Sequence, residues 1–181
     1  MSNAAALIAR WRVRLGYVLA VLVLFFAWPS PQFVAIGALV GIFGLWLRAY
    51  AAGYLHKQEV LTVTGPYAYT RNPLYLGSAV LALGAGIATH SWISGAILLI
   101  YFAVVYSVVM RREEKELEKL YGSEFAAYAA RVPAFWPRIL EKNSSGERYS
   151  WALYRRNREY EAAIGSVLAV ALLWVLMLWR R

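Results

Sequence analysis

The stretch from Leu74 to Met110, LYLGSAVLALGAGIATHSWISGAILLIYFAVVYSVVM, runs for 37 residues without a charged side chain. As a single helix it would reach about 55 Å, almost twice the roughly 30 Å of a bilayer's hydrocarbon core. It therefore reads as two membrane helices, a hairpin turning at Thr89-His90-Ser91-Trp92. In an antiparallel hairpin the start of the first helix lies beside the end of the second. Arg71-Asn72-Pro73-Leu74-Tyr75 is thus expected next to Arg111-Arg112-Glu113-Glu114. That expectation needs only topology.

Three further apolar runs flank this hairpin. One extends from Val13 to Trp28, follows Arg10, Arg12 and Arg14, and stops at Pro29-Ser30-Pro31. No small-x-small cleavage site follows it, so it reads as a retained anchor. The next extends from Phe33 to about Leu55 and holds one charge, Arg48; the last extends from Ala162 to Trp179. The chain is expected to be all-α, an integral-membrane helical bundle of about five transmembrane helices in one domain spanning residues 1–181. Nothing alternates as barrel strands do.

Composition agrees. Apolar residues make up 61% and charged residues 16%, against about half and a quarter in soluble domains. The net charge is +9, but the basic residues flank apolar runs. They read as topology signals and contacts for anionic membrane lipids, not as a nucleic-acid surface. The absence of cysteine excludes disulfides, Cys-ligated metals and thiol catalysis. His56 and His90 are too few for a histidine metal site, so no metal is expected. Lys57 and Arg71 follow the second helix, and eleven basic residues lie between Arg111 and Arg158. The positive-inside rule then puts the N-terminus and the polar motifs on the cytoplasmic side. Arg180 and Arg181 fall outside, which leaves the last helix free to be a span, re-entrant or interfacial.

Beyond the hairpin, Leu117, Leu120, Tyr121, Phe125 and Tyr128 recur at helical spacing. The fourth helix is expected to continue as a cytoplasmic amphipathic helix, bending at Gly122 and ending before Pro133 and Pro137. Asn143-Ser144-Ser145-Gly146 reads as a linker, and the tail 148–181 as a surface segment followed by the last helix. Gly65-Pro66-Tyr67 is a turn, and Pro73 suits the first position of a helix. Tyr67, Tyr69 and Tyr75 suit either an interfacial belt or a pocket for a flat ring. Glu113 and Glu114 are adjacent, so they point about 100° apart and do not form a dyad on one ligand atom. Arg48, about two turns inside its helix, is either a site residue or a snorkelling charge. Gly84-x-Gly86 reads as close packing between helices rather than a phosphate loop.

Taken together, these segments resemble a known family. Leu61 to Gly77, LTVTGPYAYTRNPLYLG, is similar to the signature of isoprenylcysteine carboxyl methyltransferases, membrane enzymes related to phospholipid methyltransferases. The likeness continues through Glu113-Glu114, Leu117, Tyr121-Gly122-Ser123-Glu124-Phe125, Tyr128 and Arg131-Val132-Pro133, and Arg48 fits an arginine in the preceding helix. It covers about 37–139 and leaves out the first helix and the tail. The resemblance implies an enzyme that uses S-adenosylmethionine to methylate a lipophilic acceptor by direct in-line transfer: a prenylcysteine-like carboxylate, a phospholipid amine or another small lipid. It implies cofactor contacts from Glu59, Val60, Leu61, Thr62, Tyr67, Asn72, Pro73, Leu74, Tyr75, Glu113 and Glu114. Arg48, Arg111 and Arg112 would position the substrate. Two positions depart from the family pattern. Asn72 stands where a histidine is usual, which removes a group that titrates near neutrality. Val109 stands where an arginine serves the carboxylate substrate. An NADPH-dependent reductase of related fold and a non-catalytic scaffold are the competing readings.

Overall fold

The computed structural model describes residues 16, 18–57, 59–138 and 147–180. Among them the protein is a membrane helical bundle without strands. Helix α1 covers residues 18–26, α2 Pro31–Ala52, α3 Pro73–Ala88, α4 Trp92–Tyr101 and α5 Ser107–Arg131. A π-helical turn, Phe102–Tyr106, joins α4 to α5, so that Trp92–Arg131 forms a 40-residue helical run interrupted at Gly122. The tail adds α6 (Trp151–Arg156) and α7 (Tyr160–Trp179). Proline starts α2 and α3, where its missing N–H is harmless. His90 takes the left-handed turn of the hairpin (φ 49°), and Ser91 Oγ caps α4 by accepting from Ser94 N at 3.3 Å.

Three helices are long and apolar enough to cross a membrane: Pro31–Ala52, Trp92–Arg131 and Tyr160–Trp179. This is fewer than the five expected, for two reasons. Helix α3 has 16 residues, about 24 Å of helix against a core of about 30 Å. Most of what precedes α1, including Val13 and the three arginines before it, lies outside the described residues. Apolar side chains face outward, as lipid solvation allows: Leu39, Ile42, Leu99, Leu168 and Leu178 are each more than half exposed.

The tightest packing joins α2 to α3 through glycine. A Cβ on Gly84 would lie 2.6 Å from the Gly37 carbonyl, and one on Gly77 would lie 2.9 Å from the Gly44 carbonyl. Backbones this close pack through van der Waals contact, the main attraction available between helices in lipid. Gly84 thus has the packing role its sequence context suggested. Gly84→Ala is expected to cost about 1–3 kcal/mol through overpacking, visible as a melting temperature lowered by several degrees in detergent.

Helix α7, long and apolar enough to cross a membrane, lies along the full length of α2. At one end Arg180 Nη2 donates to the Phe25 carbonyl (3.1 Å) and its guanidinium lies 5.1 Å from the Trp28 ring centre. Leu173 packs with Ala27, Val34 and Ala88 nearby. At the other end Asn157 Nδ2 donates to the carbonyls of Ala52 and Leu55 at 3.0 and 2.9 Å. Ser150 N donates to the Gly53 carbonyl at 2.9 Å. These contacts put the start of α7 at the bundle end where the sequence motifs lie.

Candidate active site

The loop between α2 and α3 is held from two sides. Its turn, a short 3-10 helix at Gly65–Ala68, requires glycine: Gly65 has φ +56°, and the Tyr54 ring would lie 2.7 Å from an added Cβ. The His56 N–H donates to Thr62 Oγ1 at 3.1 Å and shapes the strand-like approach to the turn. Toward α3, Arg71 N donates to the Pro133 carbonyl (2.9 Å) and Asn72 Nδ2 donates to the Ala134 carbonyl (2.8 Å). Asn72 therefore anchors the loop to the chain beyond α5. Its amide is engaged, and no side-chain cap is made at the start of α3.

Helix α5 supplies the other wall. At Gly122 (φ 50°, ψ −120°) it leaves helical geometry, a conformation that glycine reaches without penalty. The turn after the bend lies back over the loop. Phe125, Tyr128 and Val132 enclose Leu61, and Tyr128 OH donates to the Tyr67 carbonyl at 2.7 Å. The bend at Gly122 and the helix end before Pro133 fall where the sequence put them.

Between loop and helix lies a cavity of about 430 Å³. Arg48, Val60, Leu61, Thr62 and Tyr67 line it, with Asn72, Pro73, Leu74 and Tyr75 from the start of α3 and Glu113 and Glu114 from α5. Three of the sequence candidates lie outside the lining. Glu59 pairs with Arg156 of the tail at 2.6 Å, and that hydrogen bond lowers its carboxyl pKa. Arg112 pairs with Glu116 along α5 at 2.9 Å, and Arg111 is exposed. Residues that the sequence did not assign to ligand contact also line the cavity: His56, Lys57, Arg71, Glu116 and, from the tail, Glu159.

The hairpin brings its two motifs into direct contact. Tyr75 OH donates to Glu113 Oε1 at 2.6 Å. Arg71 Nη2 lies 2.8 Å from Glu114 Oε1. The second pair is close but poorly aligned, for neither Glu114 Oε1 nor Arg71 Nε completes a directed hydrogen bond. As their angular separation requires, the two glutamates serve different partners. Glu113 is exposed at the cavity wall, and no cation among the described residues pairs with it. Most of the charge at the lining is paired: Glu114 with Arg71, Glu159 with Arg48 and Glu116 with Arg112, which leaves Glu113 as the lining carboxylate without an ion pair among the described residues. Deeper in, the Tyr67 hydroxyl is buried without a hydrogen-bond partner among the described residues, and burial raises its pKa well above the usual value. It stays neutral, a donor with no acceptor among those residues.

No solved structure matches the chain. It is 36% identical over 138 residues to the cobalt-zinc-cadmium resistance protein CzcN of Cupriavidus metallidurans, covering 71% of this chain and 62% of that protein. To the nickel-cobalt-cadmium resistance protein NccN of Alcaligenes xylosoxydans xylosoxydans it is 33% identical over 165 residues, 86% of this chain and 70% of that one. A more distant similarity, 29% over 84 residues, links it to the protein-S-isoprenylcysteine O-methyltransferase of Schizosaccharomyces pombe, covering 46% and 36% of the two chains. Residues 11–124, which carry the hairpin, the loop and the Glu113-Glu114 pair, match the phospholipid methyltransferase family, and the chain belongs to that family.

Proposed function

We propose that this protein is a multi-pass membrane methyltransferase that takes methyl groups from S-adenosylmethionine and passes them to a lipophilic acceptor at the cytoplasmic face. The observation that carries this reading is Glu113: a carboxylate on the cavity wall, oriented by Tyr75 and without a cationic partner among the described residues. The residues fit the cofactor. A volume of about 430 Å³ falls within the range of small-molecule sites. A buried hydroxyl without a partner costs about 1–3 kcal/mol, which a ligand acceptor at Tyr67 would offset. Leu61, Leu117 and Phe125 offer apolar surface to a flat ring.

When bound, the cofactor supplies a methyl group already activated on a sulfonium sulfur. The chain's task is then alignment. Glu113 accepts hydrogen bonds from the cofactor's polar groups, held for this by Tyr75. Tyr67 donates one from the interior. Phe125 and Tyr128 shut out water on the side of α5. Asn72 fixes the loop and takes no part in proton transfer, since an amide does not titrate near neutrality. Glu113, without an ion pair, opposes a phosphate of NADPH at this wall, which speaks against the reductase reading. A scaffold gives no role to the unpartnered Tyr67 hydroxyl. From CzcN and NccN the proposal takes only a setting, resistance to metals; the chemistry comes from the site.

Detergent-purified protein incubated with methyl-labelled S-adenosylmethionine and total membrane lipid should move label into the organic phase. Label confined to the aqueous phase across a panel of amine, carboxylate and hydroxyl lipids would rule out the proposed activity.

A further inference from the structure

The C-terminal tail lies beyond residues 11–124, yet it contributes a side chain to the cavity. Arg48 Nε and Nη2 donate to Glu159 Oε2 and Oε1 at 3.0 and 2.9 Å. Arg48 Nη1 donates to Ser78 Oγ and, at 3.4 Å, to the Leu74 carbonyl. A guanidinium has five N–H groups in a fixed fork, so this arrangement leaves at most one for a ligand. The pair is enclosed, with side chains 20% and 10% exposed, and both residues line the cavity. Glu159 is not a chance neighbour. It stands immediately before α7, where the helix dipole favours negative charge. Asn157, two residues earlier, is bound to the end of α2 through the Ala52 and Leu55 carbonyls. The tail thus presents its carboxylate to the one arginine of α2.

An arginine in an apolar helix next to a lipid site would ordinarily serve an anionic head group. Here that capacity is already used. We propose that Glu159 is a specificity-determining residue. By filling the fork of Arg48 it denies that arginine to a carboxylate and leaves the site to acceptors whose reacting end is an amine or a hydroxyl. The proposal rests on the reading of this cavity as the acceptor site, but it concerns head-group charge and is testable without turnover.

The experiment is binding of two amphiphiles of equal chain length, dodecanoate and dodecylamine, to the full-length protein in neutral detergent at about pH 8, where both are charged. Folding is checked by melting temperature. Glu159→Gln should bind dodecanoate about tenfold or more tighter than wild type, since a freed guanidinium gains a charge-assisted hydrogen bond. Arg48→Gln should do the opposite and strengthen dodecylamine by a similar factor. A pair that only holds helices together would give neither change, and equal binding of both amphiphiles by all three proteins would overturn the proposal. If Glu159→Gln melts too early to assay, Glu159→Asp replaces it. The shorter carboxylate loosens the fork and must also admit dodecanoate, or the proposal fails. Wild-type protein that binds no S-adenosylhomocysteine would instead count against the methyltransferase reading, independently of the amphiphile result.

Discussion

Replacing Arg71 by methionine is expected to lower the melting temperature by about 10 °C, the largest stability effect of any single change at this site. Arg71 ties three elements together. Its Nη2 faces Glu114 at 2.8 Å, its Nη1 donates to the Ala129 carbonyl at 3.1 Å, and its guanidinium lies 5.9 Å from the Phe125 ring centre. The side chains of the pair are 15% and 25% exposed. Removing one partner leaves Glu114 charged and largely out of water. For fully buried pairs that costs 3–5 kcal/mol; partial solvation here brings the figure to about 3 kcal/mol. Methionine keeps the apolar stem against Phe125, so the loss reports charge rather than packing. Adding Glu114→Leu should restore more than half of the lost stability, because the uncompensated carboxylate is then gone. Thermal unfolding of wild type, the single variant and the double variant in one detergent is the check. A double variant no more stable than Arg71→Met would mean that the Ala129 and Phe125 contacts, not the ion pair, hold the bend of α5 onto the loop.

Glu113→Ala has the largest expected effect on ligand binding. The Glu113 side chain accepts one hydrogen bond, from Tyr75, and is exposed. Its loss should leave the melting temperature within about 2 °C of wild type, as is usual for surface positions. Affinity for S-adenosylhomocysteine should fall about 10- to 100-fold, the range for losing a charge-assisted hydrogen bond. Tyr75→Phe should fall several-fold at most, since tyrosine only orients the carboxylate. The contrast between an intact fold and lost binding separates a ligand contact from a structural residue.

Much of this arrangement is written in residue types and their order. Proline at 31 and 73 starts two helices because its missing N–H is tolerated only there. The uncharged run from Leu74 to Met110 demands a hairpin, and the hairpin brings Arg71-Asn72-Pro73-Leu74-Tyr75 beside Arg111-Arg112-Glu113-Glu114, where Tyr75 meets Glu113 and Arg71 meets Glu114. Gly122 marks the bend that lets Phe125 and Tyr128 cover Leu61. The pairing of side chains on long arms was not legible. The resemblance implies one cofactor segment of Glu59, Val60, Leu61 and Thr62, yet Glu59 turns away to Arg156 while its three successors line the cavity. Arg112 meets Glu116 one helical turn along, the pairing that their four-residue spacing allows, and is thereby taken from the substrate role that the resemblance implied. Glu159 was hidden for another reason. It lies 111 residues from Arg48 in a tail without motif, and only α7, lying antiparallel along α2, brings them together. The sequence leaves that helix as a span, a re-entrant segment or an interfacial one; its length, its apolar composition and the contacts at its two ends fit the span.

The central claim is that the cavity between the loop and α5 holds an S-adenosyl group. Isothermal calorimetry of S-adenosylhomocysteine and of NADPH against the detergent-purified protein, wild type beside Glu113→Ala, tests it most directly. The account predicts micromolar binding of S-adenosylhomocysteine by wild type, strongly weakened in the variant, and no heat from NADPH. Binding of NADPH alone, or S-adenosylhomocysteine affinity indifferent to Glu113, would contradict it.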